Sequence, residues 1–309
     1  SERVIFAEQA VFPGIIRDGA RAFLRSRNRL NLGGAGHGDA FDYILNPEAA
    51  AKGIVWIPSA SAFKEVGVVE WLQGFGVEYS QYMNVDNLLA PIANKYFLGE
   101  HILSRDLSIE QEGRAHISLV MVKKAQWDSR RSTFNDRLGN VVISGERQES
   151  IDYPDASEEI SANPWGDPSI RLVTIESLRG SEPTPFSVAE KTDTDYSGNL
   201  VDIFKFERSS GNKRRYGAEV GFVADDVWAA IKKRNEDALV ETPATAEKAL
   251  LKHWRGLLKE AFPEAEITDR LKVELPWSAD YLPLEQLRDK IVGSGLPVLS
   301  GAEGCYLVP

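Results

Sequence analysis

The chain has 309 residues, 43% hydrophobic and 27% charged, with a formal net charge of −10, enough for one large domain or two ordinary ones around a substantial core. No apolar run approaches the eighteen or so residues that a membrane span needs, and the single cysteine, Cys305, excludes an internal disulfide and a thiolate metal site. The four histidines, at 37, 101, 116 and 253, stand at no ligand spacing such as HxxxH, so neither a metal nor a cofactor is expected.

The N-terminal stretch SERVIFAEQAVFPG has glutamates where a signal peptide would be basic, and it lacks a long apolar run. A cytoplasmic location, or a virion for a viral component, is therefore expected. Residues 14–29 (GIIRDGARAFLRSRNR) follow Pro13 and place Ile16, Ala20, Phe23 and Leu24 at helical spacing, which predicts a helix. On it Arg17, Arg21 and Arg25 repeat every fourth residue as a basic stripe, extended by Arg27 and Arg29. Arginine in every position suits carboxylates and phosphates.

Next comes LNLGGAGHGDAFDY, residues 30–43, with Gly33, Gly34, Gly36 and Gly38 around His37, then Asp39 and Asp42. The tract locally resembles the glycine turn of S-adenosylmethionine-dependent methyltransferases. Such a site wants an acidic residue ending the next strand, but GIVWIPS (53–59) ends in Pro58-Ser59, and NPWG (163–166) lacks the second proline of the amide-binding motif. Nucleotidyl transfer wants two carboxylates as Asp-x-Asp on a strand, whereas Asp39 and Asp42 stand three apart and suit a helix face. No GK[ST] follows the glycines. The reading preferred on these grounds is a structural turn whose glycines take positive φ, with Asp39 capping a short helix that ends before Pro47. Asp42→Asn should then leave folding intact, and Asp39→Asn should cost little.

Further along, GIVWIPS has strand length, and helices are predicted over 62–74 and, broken at Pro91, over 86–103. The period then changes to alternation in AHISLVMVKK (115–124), RLGNVVISGE (137–146) and SIRLVTIES (169–177). Residues 148–168, dense in charge and proline, read as an acidic loop or linker between a helix-rich region 1–147 and a hairpin-and-helix region 169–309, though the whole could be one continuous domain. Between Glu149 and Asp195 stand eleven acidic residues against three basic ones. NLVDIFKFER and KRRYGAEVGFV flank SSGN and read as a hairpin over 199–224, with Lys213, Arg214 and Arg215 as a second basic cluster. Helices at 226–239 and 245–262, a strand at 271–275, a helix at 284–292 and a strand near Val298 or Tyr306 complete the chain.

The pattern predicts an α+β fold, with a central, largely antiparallel sheet and helices at the N-terminal and C-terminal sides. No GxSxG, HExxH or Rossmann fingerprint appears, so no residue is assigned as catalytic. The charge pattern favours a non-enzymatic assembly protein, such as a viral or phage structural component or a nucleoprotein subunit. It would be a homo-oligomer or part of a larger complex, joined through Arg17, Arg21, Arg25, Arg27, Arg29, Lys213, Arg214 and Arg215, with nucleic acid as a second target of the stripe and no membrane contact. The alternative is a transferase-type enzyme that uses the loop 33–38, with Gly33, Gly34, Gly36, His37, Gly38, Asp39 and Asp42, for a nucleotide or S-adenosylmethionine.

Overall fold

A computed structural model describes residues 4–27, 29–106, 113–124, 127–129, 133–134, 138–144, 147–151, 157–223, 227–276, 279, 282–295 and 304–308. The alternating run at 115–124 forms the central strand Ala115–Lys123, buried along almost its whole length. Alternation serves both faces here: Ala115 and Ile117 pack with Phe41, Val173 and Leu178, while Val120 and Val122 pack with Phe97, Leu172 and Val227. The sheet runs in the order Tyr79–Tyr82, Arg171–Thr174, Ala115–Lys123, Trp165–Asp167, Gly139–Ser144, Arg147–Ile151. These neighbours pair antiparallel, and Glu219–Val223 joins the central strand in parallel. The fold is α+β with mostly antiparallel sheets, as its periodicity predicts.

The C-terminal predictions hold closely. Thr242 accepts from the Thr245 amide and caps the helix Pro243–Ala261, with proline at its first position. With the strand Leu271–Glu274 and the helix Leu284–Gly293 it builds a core of its own, in which Leu258, Phe262, Leu271, Val273, Leu287 and Ile291 are all buried. Gly304–Leu307 pairs with Leu271–Glu274; Val298 lies outside the described residues.

Elsewhere the structure corrects the reading. Residues 14–29 form short strands, among them Ile15–Ile16, Arg21–Ala22 and Leu24–Ser26. Gly19 (φ 80°) and Ala20 (φ 48°) take a left-handed turn that no α-helix admits. The five arginines are exposed but do not share a helix face, and Arg17 meets Glu190 of its own chain at 3.4 Å. The stretch 62–74 divides into a strand, Ala62–Gly67, and a helix, Val68–Gly74. The helix expected over 86–103 starts only at Lys95, where Asn94 accepts from the Tyr96 and Phe97 amides. No helix forms over 229–239; there the Asn87 side chain bonds Val227 O and the Ala229 amide instead. Residues 148–168, expected as a linker, supply strand residues on both sides of the short helix Glu158–Ser161.

The hairpin also sits elsewhere. Leu200–Arg208 pairs with Phe186–Thr194 over nine residues, not with the segment after SSGN. Gly211 has no positive φ; a Cβ there would stand 2.5 Å from Ser150 O. Gly211→Val should therefore destabilise the chain by about 1–3 kcal/mol through overpacking. An unchanged melting temperature would refute that close approach.

Candidate functional site

The glycine tract begins as the strand Leu32–Gly34, paired with Val11–Pro13. Beyond it the chain is fastened to the end of the long hairpin: the Arg208 amide donates to Ala35 O at 2.6 Å, and the Gly38 amide donates to Arg208 O at 2.7 Å. Gly36 takes φ 89°, and a Cβ on it would lie 2.6 Å from Arg208 O. Glycine is required there twice over, by backbone angle and by space. A helical turn, Ala40–Ile44, follows and stops before Pro47.

Asp39 does not cap that turn through its side chain. It is buried and accepts the Ala10 amide at 2.7 Å. Asp42 is buried as well, accepting from Lys213 Nζ at 2.6 Å and from the Thr184 amide at 2.8 Å. Arg208 stands 3.7 Å from both carboxylates and lays its guanidinium over the Phe186 ring. So Asp42 is an interior ion-pair member and Asp42→Asn is expected to cost stability, unlike at a plain turn, and Lys213 is an internal ion-pair partner, not a surface cation. Arg215 is buried too and donates to Gly211 O; of the three basic residues only Arg214 is exposed, paired with Glu182.

Two cavities open around the loop. One, of about 850 Å³, is lined by Gln9, Gly34, Gly36, Glu207, Arg208 and Asn212, with the successive residues 187–191 of the hairpin strand Phe186–Thr194. The other, of about 140 Å³, is lined by Asn84, Ser150, Asp167, Arg171, Trp228 and Lys232. His37 and Ser209 line both, so the loop forms the wall between them. In the smaller cavity Asp167 receives Arg171 through both terminal nitrogens, together with the Ser150 hydroxyl and the Ser169 amide. Burial opposes ionisation of Asp167, but the Arg171 guanidinium and these hydrogen bonds outweigh it and hold the carboxyl below its usual range. Burial pushes the nearby Tyr82 hydroxyl up to about 12. Lys232 Nζ stands 4.9 Å from the Trp228 ring centre.

Thus the structure gathers Gly34, Gly36 and His37 at the cavities, with Asp39 and Asp42 as the buried support beneath Arg208. The sequence reading missed Asn84, Asp167, Arg171, Ser209 and Lys232. Asp167 and Arg171 are four apart, a spacing that reads as an ordinary surface pair until the sheet buries it.

No protein-family model matches the sequence, and no curated protein matches it. Solved structures do match. The UDP-N-acetylglucosamine pyrophosphorylase of Trypanosoma brucei, in complex with an inhibitor, superposes with a TM-score of 0.67 at 17% identity, over 98% of this chain and 61% of its own. A putative UDP-N-acetylglucosamine pyrophosphorylase from Entamoeba histolytica gives 0.60 at 16%, over 98% and 68%. A point mutant of Leishmania major UDP-glucose pyrophosphorylase, in complex with UDP-glucose, gives 0.51 at 14%, over 97% and 62%. The chain shares their fold. It spans about three-fifths of the length of the Trypanosoma protein. The expectation of a non-enzymatic assembly protein or virion component is overturned by this, because the proteins that share the fold are enzymes. Among the described residues no helix is long and apolar enough to cross a membrane.

Proposed function

We propose that this chain binds a nucleotide sugar at the glycine loop and serves uridylyl transfer between a uridine triphosphate and a sugar 1-phosphate. The observation that carries the reading is the meeting of two cavities at His37 and Ser209, one lined by Gly34, Gly36 and Arg208 and one lined by Arg171 and Lys232. Its support is the fold common to the UDP-sugar pyrophosphorylases. In the transfer, a phosphate oxygen of the sugar 1-phosphate attacks the α-phosphorus of UTP, and the bond to the β-phosphate breaks to release pyrophosphate. Such chemistry depends on positioning and on fixed positive charge near the phosphates. Lys232 supplies that charge; Arg171 spends both terminal nitrogens on Asp167 and sets the shape of the pocket.

Isothermal calorimetry with UDP-glucose, UDP-N-acetylglucosamine and UTP tests the reading, with S-adenosylmethionine as the contrasting ligand. A uridine nucleotide should bind. Lys232→Met should weaken it by about 10–100-fold, the worth of one hydrogen bond to a charged group. Binding of S-adenosylmethionine in its place, or no heat from any nucleotide with a folded chain, would sink the proposal.

A further inference from the structure

We infer that two copies of this chain join about a two-fold axis, the arginine hairpin of each seated in an acidic groove of the other. The groove lies at the far end of the long hairpin. There the Arg17 amide donates to Asp202 O at 2.9 Å, which prolongs the pairing of Ile15–Ile16 with Ile203 and Phe204. The chain then turns back through Arg21–Ala22. Between this return and the hairpin end opens a space of about 550 Å³, lined by Ile16, Leu24 and Val201 together with Asp18, Asp195 and Asp202. The end itself is firmly made, because the Asp195 carboxylate accepts the Ser197 and Asn199 amides at 2.8 Å each.

Next to the groove stands its complement. The strands Leu24–Ser26 and Arg29–Leu30 pair into a small hairpin that carries Arg25, Arg27 and Arg29, all exposed. Among the described residues Arg17 pairs with Glu190, whereas Arg25, Arg27 and Arg29 meet no carboxylate. Leu30 on this hairpin is 42% exposed, and Leu200 at the groove is 76% exposed. Seating the arginines covers both leucines, and apolar area is what an interface places at its centre.

The occupant follows from charge. A polyanion drawn to Arg25, Arg27 and Arg29 would bring its own charges against Asp18, Asp195 and Asp202, and a polycation in the groove would meet the arginines. A second copy carries both signs in the same arrangement. A two-fold axis sets basic hairpin to acidic groove twice, since each residue's contact is returned by the other copy. Segments 17–30 and 192–202 hold 25 residues, within the roughly 20–30 that each side of a standard interface supplies. Among their described residues only Phe23 is buried. Neither segment lines the cavities at His37, so the pairing needs no nucleotide.

Sedimentation velocity on residues 1–309, without nucleotide, tests it. The unmutated chain should sediment as a dimer at low salt. Exposed ion pairs are individually weak and act together here, so the dissociation constant should rise roughly tenfold or more near 1 M ionic strength, where the screening length is about 3 Å. Arg25→Glu/Arg27→Glu/Arg29→Glu should be monomeric, and so should Asp18→Arg/Asp202→Arg, each with an unchanged circular dichroism spectrum. Mixed in equal amounts, the two variants should form a heterodimer, because the glutamate hairpin of one fits the arginine groove of the other. Should a variant lose its fold, Arg27→Glu and Asp18→Arg are mixed instead. A monomeric unmutated chain at low salt overturns the inference, and so does a dimer that both reversals leave intact. Variants that stay apart when mixed also overturn it, as does a chain that gains mass only when an oligonucleotide is added.

Discussion

Asp42→Ala should lower the free energy of unfolding by about 3–5 kcal/mol, the cost of stranding one member of a buried ion pair. Asp42 and Lys213 are almost entirely shielded from water, at 4% and 1% side-chain exposure, and they touch at 2.6 Å. Without the carboxylate, the ammonium keeps only the Glu182 carbonyl, and the Thr184 amide loses its acceptor. Lys213→Met should cost less, because Arg208 and the Thr184 amide still face Asp42. Combining Asp42→Leu with Lys213→Met should recover part of the loss, since two apolar side chains leave no orphaned charge. Urea denaturation followed by circular dichroism measures all three. Single variants within 1 kcal/mol of the parent would show that the pair is not held in the interior.

Acid should weaken the fold well before carboxylates titrate. His101 is buried against the sheet, its Nδ1 2.8 Å from Ser118 Oγ and its Nε2 3.2 Å from Thr174 Oγ1, and its ring stacks on His116 at 4.0 Å. Burial, and then the neighbouring His116, push His101 down from 6.5 to about 3. The folded chain keeps this imidazole neutral while the unfolded chain protonates it below about pH 6.5. Stability from this group is therefore complete above pH 6.5 and drains away as the pH falls towards 3. Between pH 7.5 and 4.5 the loss should reach about 2–3 kcal/mol, two pKa units at about 1.4 kcal/mol each. Asp167 contributes little there, because its depressed carboxyl affects stability only nearer its ordinary value of 3.8. His101→Gln should flatten the slope. A urea midpoint independent of pH over that range would contradict the neutral, desolvated imidazole.

What the sequence makes legible follows from how local the signal is. Ala115–Lys123 and Pro243–Ala261 declare themselves because alternation in the one, and Ala249, Leu250, Trp254, Leu257 and Leu258 at helical spacing in the other, are written within a dozen residues. Residues 14–29 mislead for a similar reason. Arginines four apart mimic a helix face, while the left-handed turn at Gly19 and Ala20 that forbids one leaves only a single glycine as its trace. The loop around His37 is visible as a loop, yet its character is set by Arg208 and Lys213, far along the chain. SSGN looks like a hairpin turn by composition, but the partner of Leu200–Arg208 is the strand before it, because Phe186–Thr194 matches it residue for residue.

The distance between Asp42 and Lys213, 171 residues, has a temporal side. A ribosome adding about 5–20 residues per second leaves the buried carboxylate without its lysine for on the order of 10–30 seconds. During that interval the glycine loop also lacks Arg208, whose main chain fastens Ala35 and Gly38. The walls of both cavities are thus set after most of the central sheet has been synthesised, and the nascent N-terminal third must stay unaggregated with its loop open until the hairpin arrives.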